Sequence, residues 1–256
     1  MNGSERRTIL LVEDEAIIAL AEQRLLEKNG YSVRVAHRGN DAVERVRDDP
    51  EIDLILMDID LGDGMNGTTA AREILALREL PIVFLTGHSE REFVSTVKEI
   101  TRYGYVLKSA GEFVLLEALT SAFELFEAHC ELRENQERLI VAERLGNLGG
   151  WEVDLVTGQT HWSDQFYRIC GLEPGSVEPS SELGMSLIHP EDRPKAQAAL
   201  EKAIESRSAY DIEKRIRWPD GSVRYVHSVG EVRTDESGNP TTLIGSFLDM
   251  TEMVEA

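Results

Sequence analysis

Short unbroken runs of apolar residues recur through the first half of the chain, with helix-spaced apolar positions between them. "RTILLVED" is a buried strand ending in acids. The next segment places Ile17, Ile18, Ala21 and Leu25 on one helical face and stops at Asn29-Gly30. "YSVRVA" alternates as a strand, and "NDAVERVRDD" is a short helix closed by Pro50. "IDLILMD" and "PIVFLTG" are buried strands on either side of a helix, "TTAAREILALREL". "REFVSTVKEITRYG" is a helix, "YVLK" a strand, and "GEFVLLEALTSAFELFEAHCELRENQERLIVAERLG" one long helix. Five unbroken strands alternating with five helices predict an α/β doubly wound, five-stranded parallel sheet covered on both faces.

After Gly149-Gly150 the pattern changes. "WEVDLVTGQTHWS" predicts two short strands around a Thr-Gly turn, and "DQFYRICG" a short helix. "SELGMSLIHPEDRPKAQAALEKAIES" is a helical region punctuated by Pro190 and Pro194. "YDIEKRIRWPDGSVRYVHSVGEV" is a hairpin around Pro-Asp-Gly, and a turn at "DESGNP" leads to the last strand, "TTLIGSFLDMTE". Strands, helices, then three antiparallel strands predict an α+β domain with an antiparallel sheet.

Composition narrows the function classes. With 27 basic and 47 acidic residues the 256-residue chain carries a net charge of −20. The charge is spread over both halves, and no block is basic. Nucleic acid and anionic membrane surfaces are therefore unexpected partners. Two cysteines, Cys130 and Cys170, have no metal-ligand spacing and suit a reducing compartment. No apolar run approaches the ~18 residues of a membrane span, so a cytoplasmic location is expected.

The polar residues that end the first-half strands carry the chemistry. Strand one ends in Glu13-Asp14, strand three in Asp58, strand four in Thr86 and strand five in Lys108. In a parallel sheet all of these reach one rim, where such folds bind ligands. Converging Glu13, Asp14 and Asp58 repel one another and suit a hard, oxygen-loving divalent cation such as Mg²⁺. A carboxylate at the edge of such a pocket can attack phosphorus and form an acyl phosphate. Lys108 would neutralise charge on the transferred group, and the Thr86 hydroxyl would bond one of its oxygens.

Over residues 6–127 these motifs, "VEDE", "LMDID", "FLTG" and "GYVLK", resemble the receiver domain of two-component response regulators, a flavodoxin-like (CheY-like) fold. The resemblance implies that Asp58 accepts phosphate from a sensor histidine kinase. It implies that Mg²⁺ is bound by Asp14, Asp58 and the main-chain carbonyl of Asp60, with Glu13 acting mainly through water. It makes Thr86 the switch residue and Tyr105 the aromatic that reorients with it. His88 falls where receivers carry a residue that tunes hydrolysis. Two features depart from the family: the loop "DIDLGDGMNG" is one residue longer than usual, and Ser109 replaces the usual proline after Lys108.

The second half, residues 146–254, resembles PAS sensor domains through "GGWEVDL", "HWSDQFYRICGLEP", "IHPEDR", "RWPDGSVRYVHSVGEV" and the closing "DMTE". Trp162, Tyr167, Cys170, Trp218 and His227 are candidate cavity residues. Cys170 lies outside the flavin-photoadduct motif and no histidine is placed as a haem ligand, so no tightly bound cofactor is expected, and the ligand is unknown. The connector over 128–145 belongs to one continuous helical pattern in which Leu125, Leu132 and Leu139 repeat every seven residues, with Ala128, Asn135 and Ala142 three behind. This is coiled-coil spacing and predicts a homodimer through the connector helix. "AHCELREN" around His129 is only a faint match to a kinase phosphoacceptor box. The expected function is phosphorelay signal transduction without substrate turnover. The alternatives are the input portion of a longer sensor or hybrid histidine kinase, kinase activity then requiring a transmitter beyond Ala256, or an aspartyl-phosphate phosphatase with Asp60 as general acid.

Overall fold

The computed structural model describes residues 6–62, 64–87, 100 and 103–255. The predicted helix over "REFVSTVKEITRYG" and His88 lie almost wholly outside them. The chain divides into two units, Met1–Arg133 and Glu134–Ala256.

In the first unit β1 (Thr8–Val12), β2 (Ser32–Ala36), β3 (Ile52–Asp58), β4 (Ile82–Thr86) and β5 (Tyr105–Leu107) form one parallel sheet in the order β2-β1-β3-β4-β5. Strand alternation sends Leu10, Val12, Ile55, Met57, Ile82 and Phe84 to one face. There they pack against α2 (Gly39–Asp48) and α3 (Gly67–Leu77). The alternate residues Ile9, Leu11, Leu54, Leu56, Val83 and Leu85 meet α1 (Ala16–Lys28) and the start of α4 (Glu112–Leu145). Both faces being covered explains why these strands are apolar without alternation. Strand order reverses between β1 and β3, so their carboxyl ends open side by side at the switch point.

The second unit holds an antiparallel sheet in the order β7-β6-β10-β9-β8. Its strands are β6 (Leu148–Asp154), β7 (Thr160–Trp162), β8 (Tyr210–Arg217), β9 (Val223–Thr234) and β10 (Pro240–Asp249). One face packs on α5 (Asp164–Ile169), α6 (Ser181–Leu187) and α7 (Arg193–Ser206). Gly149 and Gly150 lie inside β6, where α5 approaches closely: a Cβ on Gly149 would stand 2.5 Å from the Phe166 Cα. The helical region over 181–206 is two helices. Ile188 between them is extended and bridges to Ile216, while Pro194 sits in the first turn of α7, where no amide hydrogen is needed.

At the end of β10 the Asp249 carboxylate accepts the Thr251 N–H at 2.9 Å and the Thr251 hydroxyl at 2.6 Å. The same hydroxyl oxygen accepts the Tyr225 N–H at 3.0 Å, and Met250 N donates to Tyr225 O. The closing helix α8 (Thr251–Glu255) is thereby fastened to β9.

Candidate functional site

Register places the acidic residues together. Val12 of β1 lies opposite Met57 of β3, so Glu13 emerges beside Asp58. Ligand oxygens of Glu13, Asp14 and Asp58 all lie within 4.8 Å of one another. Glu13 and Asp58 are buried, and Asp14 is the more open of the three. From the end of β5, Lys108 reaches across the rim. Its Nζ donates to Glu13 Oε2 at 2.7 Å and to Asp58 Oδ2 at 2.8 Å. The Asp60 N–H donates to Asp58 Oδ1 at 3.2 Å.

Two glycines set the walls. Gly62 adopts φ +59°, and a Cβ there would stand 2.8 Å from Asp14 Oδ2. At Gly67, the first residue of α3, a Cβ would stand 1.9 Å from the main-chain oxygen of Asp58. Only a bare backbone can bring that helix so close. Asn66 caps it, its side chain accepting the Thr69 N–H at 2.8 Å.

The electrostatics follow from burial. Desolvation raises Glu13 and Asp58 above the ordinary carboxylate range, and hydrogen bonds from Lys108 pull both back. Burial alone would lower the Lys108 amine, but the bonds and charges of Asp58 and Glu13 outweigh it and hold it raised. Glu22 on α1 is pushed up to about 7, first by burial and then by the charge of Glu13. Three carboxylates against one ammonium leave a local charge of −3 + 1 = −2. All donors are hard oxygens, so the set fits a divalent cation such as Mg²⁺.

Of the other expected site residues, Thr86 and Lys108 stand at the same rim, while Tyr105 lies further back, level with Phe84. Thr86, buried, ends β4 one residue past Leu85, the partner of Asp58. Tyr105 begins β5 and is 39% exposed. Lys108 opens a 3-10 turn, Lys108–Ala110.

In the second unit most of the candidate residues serve packing or pairing, the commoner role for aromatics at such spacing. Of the five candidate cavity residues, only Trp162 lines the cavity under the sheet. The Tyr167 hydroxyl donates to Val177 O, the Trp218 indole donates to Ile169 O, and Cys170 is packed in the core. His227 pairs with Asp211 at 2.7 Å, in neighbouring strands. Side-chain size alone did not indicate which residues front the cavity. The polar residue that does, Lys214, was missed, although strand alternation in "YDIEKRIR" puts it on the apolar face.

Two family models match the chain. Residues 9–120 match the response regulator receiver domain and residues 159–247 the PAS fold. The transcriptional regulatory protein PdtaR of Mycobacterium tuberculosis is 33% identical over 121 residues, which is 47% of this chain and 58% of that protein. The sensor protein FixL of Bradyrhizobium diazoefficiens is 28% identical over 106 residues, 41% of this chain and 21% of that protein. The N-terminal domain of a response regulator/sensory box/GGDEF 3-domain protein from Carboxydothermus hydrogenoformans is 46% identical. The match covers 48% of this chain and 98% of that one, with a TM-score of 0.46. The chain spans less than two thirds of the length of either curated relative. The chain therefore carries a response regulator receiver domain followed by a PAS-fold domain.

Proposed function

We propose that residues 6–127 accept a phosphoryl group on Asp58 from a histidine kinase in the cytoplasm, and that the helix over 128–145 couples this state to a sensory PAS domain at 146–254. The observation that carries the reading is the Lys108 ammonium bridging Asp58 and Glu13, with Asp14 alongside. Asp58 attacks the phosphorus of a phosphohistidine. An O–P bond forms as the N–P bond breaks, and the released imidazole nitrogen takes a proton. Asp14, Asp58 and the main-chain carbonyl of Asp60 would hold Mg²⁺, with Glu13 acting through water, and the ion would supply positive charge to the transferring oxygens. Lys108 offsets charge on the same group, and Thr86 donates to one of its oxygens once it is attached. Inward movement of Thr86 vacates space for the Tyr105 ring, which makes this pair the switch.

The chain then passes a signal and turns over no substrate. A second reading, the input portion of a longer sensor or hybrid kinase, is favoured by the small share of FixL that the chain matches. Incubation with acetyl phosphate and Mg²⁺ tests the assignment by intact mass. One phosphoryl group is expected on the wild type and on Thr86→Ala, and none on Asp58→Asn. Unchanged labelling of Asp58→Asn overturns it.

A further inference from the structure

Strand β8 alternates, so Tyr210, Ile212, Lys214 and Ile216 share the face turned to the helices. Lys214 is the anomaly: a lysine only 7% exposed on an otherwise apolar wall. Its Nζ donates to the Tyr210 hydroxyl at 2.8 Å and lies 4.5 Å from the centre of the Phe247 ring. Among the described residues no carboxylate pairs with it or contributes to its electrostatics. The nearby Cys170 thiol is pushed up to about 12 by burial and stays neutral, so it supplies no counter-charge.

A buried ammonium is costly unless it is paired, and one accepting hydroxyl leaves two of its three N–H groups unused. The amine stands in the wall of a cavity of about 90 Å³, whose apolar lining includes Trp151, Phe166, Met185 and Leu200. The Trp151 indole N–H, in the same wall, is buried without an acceptor. Burial pulls the Lys214 amine down to about 7, so near neutral pH it is charged in only part of the molecules, and a bound anion would hold it protonated. The cavity thus combines unsatisfied donors, one of them a protonatable amine, with an apolar body. Nothing anionic is built into it.

We propose that this cavity binds a small monocarboxylate, the carboxylate paired with Lys214 and the alkyl chain lying against the apolar wall. Size limits the chain. An apolar cavity of about 150 Å³ admits benzene, so this one suits a chain of about two to four carbons.

Sodium propionate titrated into the full chain at constant ionic strength, followed by tryptophan fluorescence, tests this. Trp151 and Trp162 both line the cavity and report on its filling. Saturable binding at millimolar concentration is expected. The uncharged isostere propionamide should bind about tenfold more weakly, or worse, because it cannot pair with the ammonium. Lys214→Met, which keeps the side-chain length, should remove saturation. No saturable response from propionate, equal affinity for propionate and propionamide, or undiminished binding to Lys214→Met each overturns the proposal. The amide comparison uses unaltered protein, so it stands whatever the variant does to folding.

Discussion

Asp192 takes three hydrogen bonds from a single residue. Arg215 donates its main-chain N–H at 2.8 Å, Nε at 3.0 Å and Nη2 at 2.7 Å, joining the start of α7 to β8. The Arg215 side-chain bonds hold the Asp192 carboxyl down at about 2, whereas an unfolded aspartate titrates near ~3.9. A carboxyl lowered in the folded state stabilises fully above its unfolded value. That contribution is lost as pH falls through the folded one. Thermal melts should therefore show the gap between wild type and Asp192→Asn narrowing from about pH 4 to about pH 2. At neutral pH the variant should melt a few degrees lower. A gap independent of pH would mean that the pair contributes geometry alone. The "IHPEDR" motif was legible in the sequence, but its partner was not, because a side-chain fork across 23 residues leaves no periodic trace. Asp58 was legible for the opposite reason: an acid after one strand is often just a helix cap, but Glu13, Asp14, Asp58, Thr86 and Lys108 all end strands that a parallel sheet brings to one rim.

At the scale of the element, α4 shows where periodicity informs and where it stops. Its 34 residues extend about 51 Å at 1.5 Å per residue. Leu115, Leu119, Ala122 and Phe123 are buried against the parallel sheet, but Leu125, Leu132 and Leu139 are 43%, 56% and 66% exposed. The heptad spacing was visible in the sequence; a repeat of leucines does not by itself say what packs on them. Pairing with a second copy, as in the proposed homodimer, would bury them at coiled-coil spacing. Light scattering should give a dimer mass for the wild type. Leu132→Asp should shift the protein to monomer with Asp58 labelling intact, since an unpaired carboxylate at the seam costs several kcal/mol. A wild type that remains monomeric at high micromolar concentration rules the seam out.

For the molecule as a whole, the change from unbroken to alternating apolar strands near residue 150 announced two sheets of different kind, and both are present. The parallel sheet was the more readable. A strand buried on both faces admits few polar residues, so Glu13, Asp58 and Thr86 stood out at its ends. The antiparallel sheet has an outer face where polar residues are ordinary, and a lysine in "YDIEKRIR" passed as one of them. Conformation hid other features. The close contact of Gly149 with Phe166 is invisible until α5 is placed on the sheet.

The Asp249–Thr251 clasp gives the second unit a built-in reporter. Antiparallel pairing of β9 with β10 ends at Val226 and Asp249, so the next amide along, that of Tyr225, has no strand residue left to meet. A side-chain oxygen from the first turn of α8 stands in for it. Solvent exchange of that one amide therefore runs as a clock on the docking of the exit helix, set by how often Thr251 lets go. Replacing Thr251 with valine keeps the shape and removes the acceptor. Hydrogen–deuterium exchange at Tyr225 should then quicken by roughly fivefold or more, with the Val226 amide slow as before. Equal rates in the two proteins would mean that the amide opens with the whole sheet, and that the helix end holds nothing shut.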